Sequence, residues 1–183
     1  MAATGSGAAT PCAVPAGQAI AYIGLGANLG DSAQTLRQAL RELAAIPGIQ
    51  DCVASPFYRT APVDASGPDF VNAVARVATT LAPLALLDAL QALELRHGRQ
   101  RPYRNAPRTL DLDLLLYGDV RMDTPRLTLP HPRMRERAFV LAPLRDLAPG
   151  MTLDGAALDT LLARCGGQDI GILPGGDAPA PHR

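Results

Sequence analysis

A short segment of alternating leucine and aspartate, residues 110–116, most constrains how this chain can fold. Neighbouring residues of a β-strand point to opposite faces of a sheet, so the segment predicts a strand with two unlike faces. One face carries leucines: Leu110, Leu112, Leu114 and Leu116. The other face carries Thr109, Asp111, Asp113 and Tyr117. Aspartate is a poor strand former, so two aspartates opposite a leucine face indicate a functional reason for the acid.

The spacing of the two aspartates suits divalent cations. Asp111 and Asp113 would lie about 7 Å apart at their Cα atoms, because a strand rises ~3.3 Å per residue. Such carboxylates can converge on one hard cation, or hold two ions ~3.5–4 Å apart, as in two-metal phosphoryl-transfer sites. A bare D-x-D also occurs on solvent-facing strands, where aspartate serves solubility alone. Arg108 directly precedes the strand and would place its positively charged guanidinium beside anionic substrate oxygens.

The charge of the chain is balanced overall but uneven along it. The 183 residues are 48% hydrophobic, enough for one globular domain, and 17 basic residues match 17 acidic ones. A net charge of zero does not favour non-specific nucleic-acid binding. All of the basic residues are arginine, and ten fall between positions 96 and 137. An organism-wide preference for arginine would explain the absence of lysine, but the clustering favours a polyphosphate site.

The remaining composition predicts a reduced, soluble protein. The three cysteines, Cys12, Cys52 and Cys165, show no metal-ligand spacing, and an odd number argues against a disulfide framework. We therefore expect a cytoplasmic protein, with no run long enough to span a membrane. Residues 1–19 are rich in Ala, Gly, Thr and Pro and predict a flexible extension rather than a signal peptide. Residues 20–165 predict a single domain, and the Gly/Pro-rich residues 166–183 a flexible tail.

Two further strands are predicted to expose functional residues opposite their core faces. Residues 21–26 alternate so that Gly24 and Gly26 face away from the core, which would leave room for a flat ligand. Tight strand contact or a bulge explains these glycines equally well. Residues 70–79 form another alternating strand, on which Phe70 and Asn72 could stack on and hydrogen-bond a planar heterocycle. As an isolated pair they would more often be ordinary surface.

The other elements follow from caps, prolines and glycines. Asp31 followed by Gln34 caps a helix that ends before Pro47 and Gly48, and Pro83 opens a second helix that ends at Gly98. Residues 98–107 form an arginine-rich loop that could close over phosphates. We also expect a strand at residues 52–58, a hairpin at 120–129, a rigid turn at His131, and helices at 139–147 and 152–162.

The order β-α-β-β-α-β predicts an α+β protein with a ferredoxin-like α/β sandwich. We expect a mostly antiparallel sheet with helices on one face and additional C-terminal elements. The open face would then bring the glycines, Phe70, Asn72 and the two aspartates together. Two other functions fit this pattern. One is a nucleotidyl- or phosphotransferase with another acceptor, and the other is an RNA-recognition sheet, although glycines and aspartates occupy the places where stacking rings should stand.

Six segments of the chain together resemble the 6-hydroxymethyl-7,8-dihydropterin pyrophosphokinase family. They are A-Y-I-G-L-G-A-N-L-G-D, F-Y-R-T-A-P-V, D-F-V-N-A-V, E-L-R-H-G-R-Q-R, P-R-T-L-D-L-D-L-L-L-Y-G and R-L-T-L-P-H-P-R-M-R-E-R-A-F-V-L-A-P-L. The resemblance covers residues 21–149 and implies transfer of the β,γ-pyrophosphate of ATP to the pterin hydroxymethyl group, with release of AMP, in folate biosynthesis. It also implies a monomer whose partners are ATP and the pterin, without nucleic acid or membrane.

The resemblance assigns roles residue by residue. Two Mg²⁺ ions would be held by Asp111 and Asp113, which with Arg99, Arg101 and Arg108 would be the catalytic residues. The pterin site would comprise Gly26, Thr60, Val63, Phe70, Asn72 and Phe139. The nucleotide site would comprise Gln91, Glu94, Arg99, Arg101, Arg108, Leu114, Arg126, Thr128, His131 and Arg137.

The chain departs from the family pattern at several positions. Phe70 stands where one branch has Tyr, which keeps the ring for stacking and loses a hydroxyl. Ala61 replaces a common Pro, and Pro132 stands where a Tyr or Asp-type residue often follows the histidine. In the arginine-rich loop Asn105 stands where a Trp is expected, and the loop is one residue shorter. This departure affects the contacts that would close the loop, and Tyr103 is the candidate for the aromatic role.

Overall fold

The structure is a computed structural model that describes residues 16–62, 67–98 and 109–179. Within these ranges the centre of the protein is a six-stranded sheet whose strand pairs are antiparallel. Its strands are β1 (Ala19–Ala27), β2 (Ile49–Ala54), β3 (Tyr58–Thr60), β4 (Phe70–Thr79), β5 (Asp111–Tyr117) and β10 (Ile170–Ile172). The order across the sheet is β10-β3-β4-β1-β5, and β2 pairs with β4 beyond the end of β3.

Helices and two small hairpins complete the described fold. The helices are α1 (Ser32–Ala44), α2 (Pro83–Arg96), α3 (Ala138–Leu147) and α4 (Leu158–Ala163), with a 3₁₀ turn at Met134–Glu136. The hairpins are β6 (Met122–Asp123) with β7 (Thr128–Leu129), and β8 (Thr152–Leu153) with β9 (Ala156–Ala157). None of the helices in the described part of the chain combines the length and apolar character that crossing a membrane requires.

The first two helices begin and end as predicted, and they cover the leucine face. Asp31 is the N-cap of α1 and its carboxylate accepts a hydrogen bond from the Gln34 N–H at 3.1 Å. Pro83 begins α2, and Gly98 follows its end with a φ of +73°. Leucines of both helices pack on the inward residues of β1, β4 and β5 in one buried cluster. This layer is the hydrophobic core on the side of the sheet opposite the open face.

α1 and α2 cover the predicted face, and the additional C-terminal helices α3 and α4 pack on the other face. A second buried cluster on the opposite face joins Val74 of β4 and Leu115 of β5 to apolar residues of α3 and α4. Val74 is fully buried, although it lies on the same face of β4 as Asn72. The open face is therefore covered by α3 over part of its area. Gly26, Asn72 and Asp111 lie towards one end of that face.

A bulge in β5 changes which residues face the leucine core. Opposite β1, Leu114 pairs with Ile23 and Leu116 pairs with Tyr22, so Leu115 is an extra residue. A bulge reverses the alternation of side chains beyond it. Leu115 and Leu116 accordingly pack with the α3 and α4 cluster, and Tyr117 packs with the α1 and α2 cluster. The predicted faces of Leu116 and Tyr117 are thus wrong, while those of the two aspartates hold.

Two other predicted elements need correction. The strand predicted at 52–58 divides into β2 and β3, because Pro56 lacks the N–H that a continuous ladder needs. The helix predicted at 152–162 is a hairpin followed by the shorter α4, because Asp154 and Gly155 form a tight turn with φ of 47° and 80°.

The prediction of a flexible tail from residue 166 is wrong for its first part. β10 pairs with β3, the Leu173 N–H donates to the Phe57 carbonyl at 2.8 Å, and the Phe57 N–H donates to the Gly176 carbonyl at 3.0 Å. Leu173 and Ala178 pack against the main core. These contacts extend the folded unit beyond residue 165.

Candidate functional site

The strand register brings the predicted open-face residues into one row. Gly26 of β1 lies directly opposite Asn72 of β4 on one side and Asp111 of β5 on the other. Gly24, one step along the same face, lies opposite Asp113. On β3 the residue opposite Asn72 is Tyr58, and Thr60 lies one step along the same face, opposite Phe70. The sheet thus places the two carboxylates beside a strip of backbone that has no side chains.

Asn72 forms a fixed polar group in the middle of this row. Its side chain is 5% exposed, and its Nδ2 donates to the Thr60 hydroxyl at 2.8 Å. A Cβ added to Gly26 would lie 3.0 Å from the Asn72 Oδ1, so the missing side chain at Gly26 leaves room for this carbonyl. The hydrogen bond to Thr60 fixes which end of the amide faces Gly26. Asn72 therefore offers an oriented acceptor on a flat surface.

Aromatic side chains approach the row from two elements. Phe70 precedes Asn72 by two residues on β4 and is half-buried on the same face. Phe139, in the first turn of α3, packs partly buried against the cluster that includes Val74. The Arg137 guanidinium lies over the Phe139 ring at 5.4 Å from its centroid. An apolar wall with few oriented polar groups is typical of sites for planar ligands.

The aspartates lie on a strand whose outer side is held by α2. Glu94 is 1% exposed, and its Oε1 accepts a hydrogen bond from the Leu112 N–H at 2.7 Å. Gln91 is exposed on α2, one turn before Glu94. The side chain of Leu114 is buried against α1 and α2, so the structure does not bring it to the aspartate face. Glu94 thus fixes the backbone between the two carboxylates.

His131 is held neutral in a defined tautomer. Its backbone N–H donates to the Leu115 carbonyl at 2.9 Å, and its Nδ1 accepts from the Arg133 N–H at 3.2 Å. Burial lowers the pKa of His131, the positive charges of Arg137 and Arg133 lower it further, and the negative charge of Asp111 acts in the opposite direction. Because Nδ1 is an acceptor, the ring proton lies on Nε2, which can donate to an anion.

The predicted nucleotide residues of the β6–β7 hairpin have partners in the structure. Arg126 forms an ion pair with Asp88 of α2, and the Thr128 hydroxyl lies 3.5 Å from the Asp123 carboxylate. Thr128 and His131 also line a cleft of about 820 Å³ that extends to the β8–β9 hairpin. Asp88 is not predictable from the sequence, because a helix-surface aspartate carries no sign of its partner.

Four of the predicted site residues cannot be placed. Val63, Arg99, Arg101 and Arg108 lie outside the described residues, as does most of the predicted closing loop. Among the residues that the structure describes, no group of three or more His, Cys, Asp or Glu side chains could hold a metal ion. The aspartate pair is thus a set of two hard ligands, which suits Mg²⁺ that takes its other ligands from water and phosphate.

Comparison with known proteins identifies the family. The family model described as 7,8-dihydro-6-hydroxymethylpterin-pyrophosphokinase (HPPK) matches residues 22–149, which include the whole row of open-face residues. The chain belongs to this pyrophosphokinase family. Curated members similar to the chain carry the name 2-amino-4-hydroxy-6-hydroxymethyldihydropteridine pyrophosphokinase. The family assignment made from the six sequence segments is confirmed.

Relatives in this pyrophosphokinase family match over most of their length. The Pseudomonas aeruginosa protein is 49% identical over 156 residues, covering 84% of this chain and 96% of the relative. The Methylorubrum extorquens protein is 42% identical, covering 79% of this chain and 92% of the relative. The Haemophilus influenzae protein is 41% identical, covering 79% of this chain and 91% of the relative.

Solved structures agree on the fold. A crystal structure of an HPPK-DHPS protein in complex with substrates matches with a TM-score of 0.64 at 13% identity, covering 80% of this chain. The chain spans 43% of that longer protein. Plasmodium falciparum wild-type HPPK-DHPS matches with a TM-score of 0.60 at 15% identity, over 80% of this chain and 43% of its own length. At these identities the likeness concerns the mixed α/β fold alone.

Proposed function

We propose that this protein transfers pyrophosphate from ATP to the hydroxymethyl group of 6-hydroxymethyl-7,8-dihydropterin and releases AMP, as a step of folate biosynthesis. Family membership and the names of its relatives support this reaction. The observation that carries the proposal is the row of Asp111, Gly26 and Asn72 on three adjacent strands. This row puts cation ligands beside a flat, amide-lined surface, which suits a phosphate donor and a planar acceptor together.

The pterin would lie over Gly26, at the end of the glycine strip beside Asn72. Gly26 leaves the surface flat, and the Asn72 carbonyl, held by Thr60, would accept a hydrogen bond from the ring. Phe70 and Phe139 would supply the aromatic walls, and Val63 would complete the site. An acceptor in a fixed direction favours a heterocycle that presents N–H groups at its edge, because an unpaired buried carbonyl would cost about 1–3 kcal/mol.

The triphosphate would lie along the edge of β5. Asp111 and Asp113 would hold two Mg²⁺ ions, and the charges of the arginine set would bind the phosphates and the departing AMP. Bound there, the cations would neutralise phosphate charge and orient the attacking hydroxyl. The Nε2–H of His131 would donate a hydrogen bond to a phosphate oxygen. Arg126, Thr128 and Arg137 would contact the nucleotide. Gln91 would contribute from α2, and Arg99, Arg101 and Arg108 from the loop. The buried Glu94 and Leu114 would act only by supporting β5.

The finer description of the protein is also part of the proposal. The order β2-β4-β1-β5 supports a ferredoxin-like arrangement of the central strands. We propose residues 1–19 as an extension to a single domain, and a monomeric, cytoplasmic enzyme whose partners are small molecules. The odd number of cysteines, with Cys52 and Cys165 free among the described residues, supports a reducing compartment.

Replacement of one metal ligand tests the proposal. Asp113→Asn removes a negative charge from the cation pair while it leaves the glycine strip intact. We expect AMP release to fall by at least about 10²-fold, because loss of even an outer-shell partner costs 10–100-fold at metal sites. Pterin affinity, followed by pterin fluorescence without ATP, should change by less than about threefold. Asp119→Asn, an exposed aspartate in the turn after the same strand, is the matched control.

The assay contains ATP, Mg²⁺ and the dihydropterin, with AMP measured directly. Equal AMP release by Asp113→Asn and the parent would refute the metal role. AMP formation that does not depend on the pterin would instead favour a transferase with another acceptor.

A further inference from the structure

The side chain of Gln168 bridges the backbone on both sides of Arg137. Its Oε1 accepts a hydrogen bond from the Ala138 N–H at 2.9 Å, and its Nε2 donates to the Glu136 carbonyl at 2.7 Å. Gln168 follows α4 and lies outside the residues that the family model matches. One side-chain amide thus holds the two peptide groups that flank Arg137.

The Gln168 bridge lies at the N-terminus of α3, where the N-cap residue, Arg137, provides no side-chain capping hydrogen bond. The first N–H groups of a helix have no partner within the helix, so a partner from elsewhere fixes the direction in which the helix begins. Gln168 provides that partner to Ala138 from 30 residues further along the chain. The backbone conformation of Arg137 is consequently set by the C-terminal segment.

The direction of this helix start determines where two candidate site residues lie. Arg137 leaves the backbone between the two bridged peptides, and Phe139 is in the first turn that follows. The Arg137 guanidinium lies over the Phe139 ring and its charge lowers the pKa of His131. A rotation of the backbone at Arg137 would move the Arg137 guanidinium and the Phe139 ring relative to the sheet.

The same segment also reaches the opposite side of the site. Two residues after Gln168, Ile170 of β10 pairs with Thr60 of β3. Thr60 in turn accepts the hydrogen bond that orients Asn72. The stretch 168–170 therefore connects the start of α3 with the strand that supports the amide on the sheet.

We propose that Gln168 is a positioning residue for the pyrophosphokinase reaction, which holds Arg137 and Phe139 at the distance from Asn72 that the bound substrates require. It acts through the backbone of Arg137 and contacts no substrate itself. The inference rests on the proposed roles of Arg137 and Phe139 in the site.

Two substitutions in the full chain separate positioning from simple stability. Gln168→Met keeps the length of the side chain and removes both hydrogen bonds. Gln168→Glu keeps an acceptor for the Ala138 N–H and loses the donor to the Glu136 carbonyl. We expect Gln168→Met to raise KM for the pterin or for ATP about fivefold or more, which is the factor given by one hydrogen bond of about 1 kcal/mol. We expect kcat to change less than KM, and Gln168→Glu to lie between the parent and Gln168→Met.

A control of equal stability is needed, because loss of a cap also lowers Tm. Ile49→Val removes one methylene group from the core under α1, far in the fold from α3, and should lower Tm without a change in either KM. If Gln168→Met lowers Tm but leaves both KM values at the parent level, Gln168 is only a helix cap and the inference is wrong. If Gln168→Met does not fold, the same criterion is applied to Gln168→Glu.

The proposed site is tested alongside. Arg137→Ala and Phe139→Ala should each weaken substrate binding. If both bind the pterin and ATP as the parent does, the proposed roles of these residues fail. If both bind weakly while Gln168→Met binds normally, those roles stand and the inference about Gln168 alone is refuted.

Discussion

Replacement of Gly26 by alanine gives a sharp test of the glycine-floored surface. The added Cβ would lie 3.0 Å from the Asn72 Oδ1, which is closer than an ordinary contact. The Asn72 amide cannot rotate away without loss of its 2.8 Å hydrogen bond to Thr60. Because Asn72 is 5% exposed, water does not replace that bond. We therefore expect the alanine to break or strain a buried polar contact.

The magnitude follows from two opposing effects. A buried polar group left unsatisfied costs about 1–3 kcal/mol. Replacement of glycine by alanine also stabilises a protein by about 0.4–1 kcal/mol, because the unfolded chain loses freedom. Gly26→Ala should thus be destabilised by roughly 0–2.6 kcal/mol, the range from subtracting the second effect from the first.

Gly24→Ala is a matched control on the same strand and the same face. Its added Cβ would lie 3.5 Å from the Leu115 side chain, an ordinary van der Waals contact. Gly24→Ala should therefore only be stabilised, by the roughly 0.4–1 kcal/mol that comes from the reduced freedom of the unfolded chain. The difference between the two variants, about 1–3 kcal/mol, isolates the contact with Asn72 because the entropic term cancels.

Urea unfolding of the two variants measures this difference, and pterin fluorescence measures the second consequence. A methyl group on the floor of a tight pocket weakens binding by about 10–200-fold, and we expect this loss in Gly26→Ala and not in Gly24→Ala. The reasoning would be refuted if the two variants unfolded at the same urea concentration and bound the pterin equally well.

Three further predictions concern single side chains. Glu94→Ala should lose about 1–3 kcal/mol of stability in urea unfolding, because the Leu112 N–H loses its acceptor, whereas Glu94→Gln keeps an acceptor oxygen and should lose less. The fold lowers the pKa of His131. The neutral ring therefore contributes fully to stability above the ordinary histidine pKa of about 6.5, and this contribution is lost as the pH falls from there through the lower pKa of the folded state. Urea unfolding at several pH values should show this loss in the parent and less of it in His131→Asn. Burial and the hydrogen bond to Asp146 raise the pKa of Tyr58 to about 12, so Tyr58→Phe should remove a step near pH 12 from an alkaline absorbance titration. An unchanged titration would contradict the assignment.

Elements with strong local signals are predictable from the sequence. The strand β4 has the predicted bounds, because a small or branched apolar residue stands at every second position from Val71 to Val77. The helices α1 and α2 follow from Asp31, Pro83 and Gly98, which act within one turn of the helix ends. The shared face of Asp111 and Asp113 is likewise a consequence of local alternation.

Features that depend on distant partners are not predictable in this way. Leu115 lies in a continuous run of leucines, so no period marks it as the extra residue of a bulge. β10 is three residues long, and its pairing with β3 joins positions more than a hundred residues apart. Gln168 caps a helix that begins 30 residues before it, and its own neighbours in the sequence carry no sign of that contact. The direct opposition of Gly26 and Asp111 also required knowledge of which strands are paired.

The hydrogen bonds on the outer side of β5 bear on self-association. This strand lies at one end of the sheet order, where exposed N–H and C=O groups would accept a strand from a second molecule. The Leu112 N–H donates a hydrogen bond to the Glu94 carboxylate, and the Leu115 carbonyl accepts one from the His131 N–H. Two groups that could template intermolecular sheet growth are therefore already used within the molecule. The arrangement disfavours strand-to-strand aggregation at this edge, and both aspartate side chains remain on the face that carries Gly24 and Gly26.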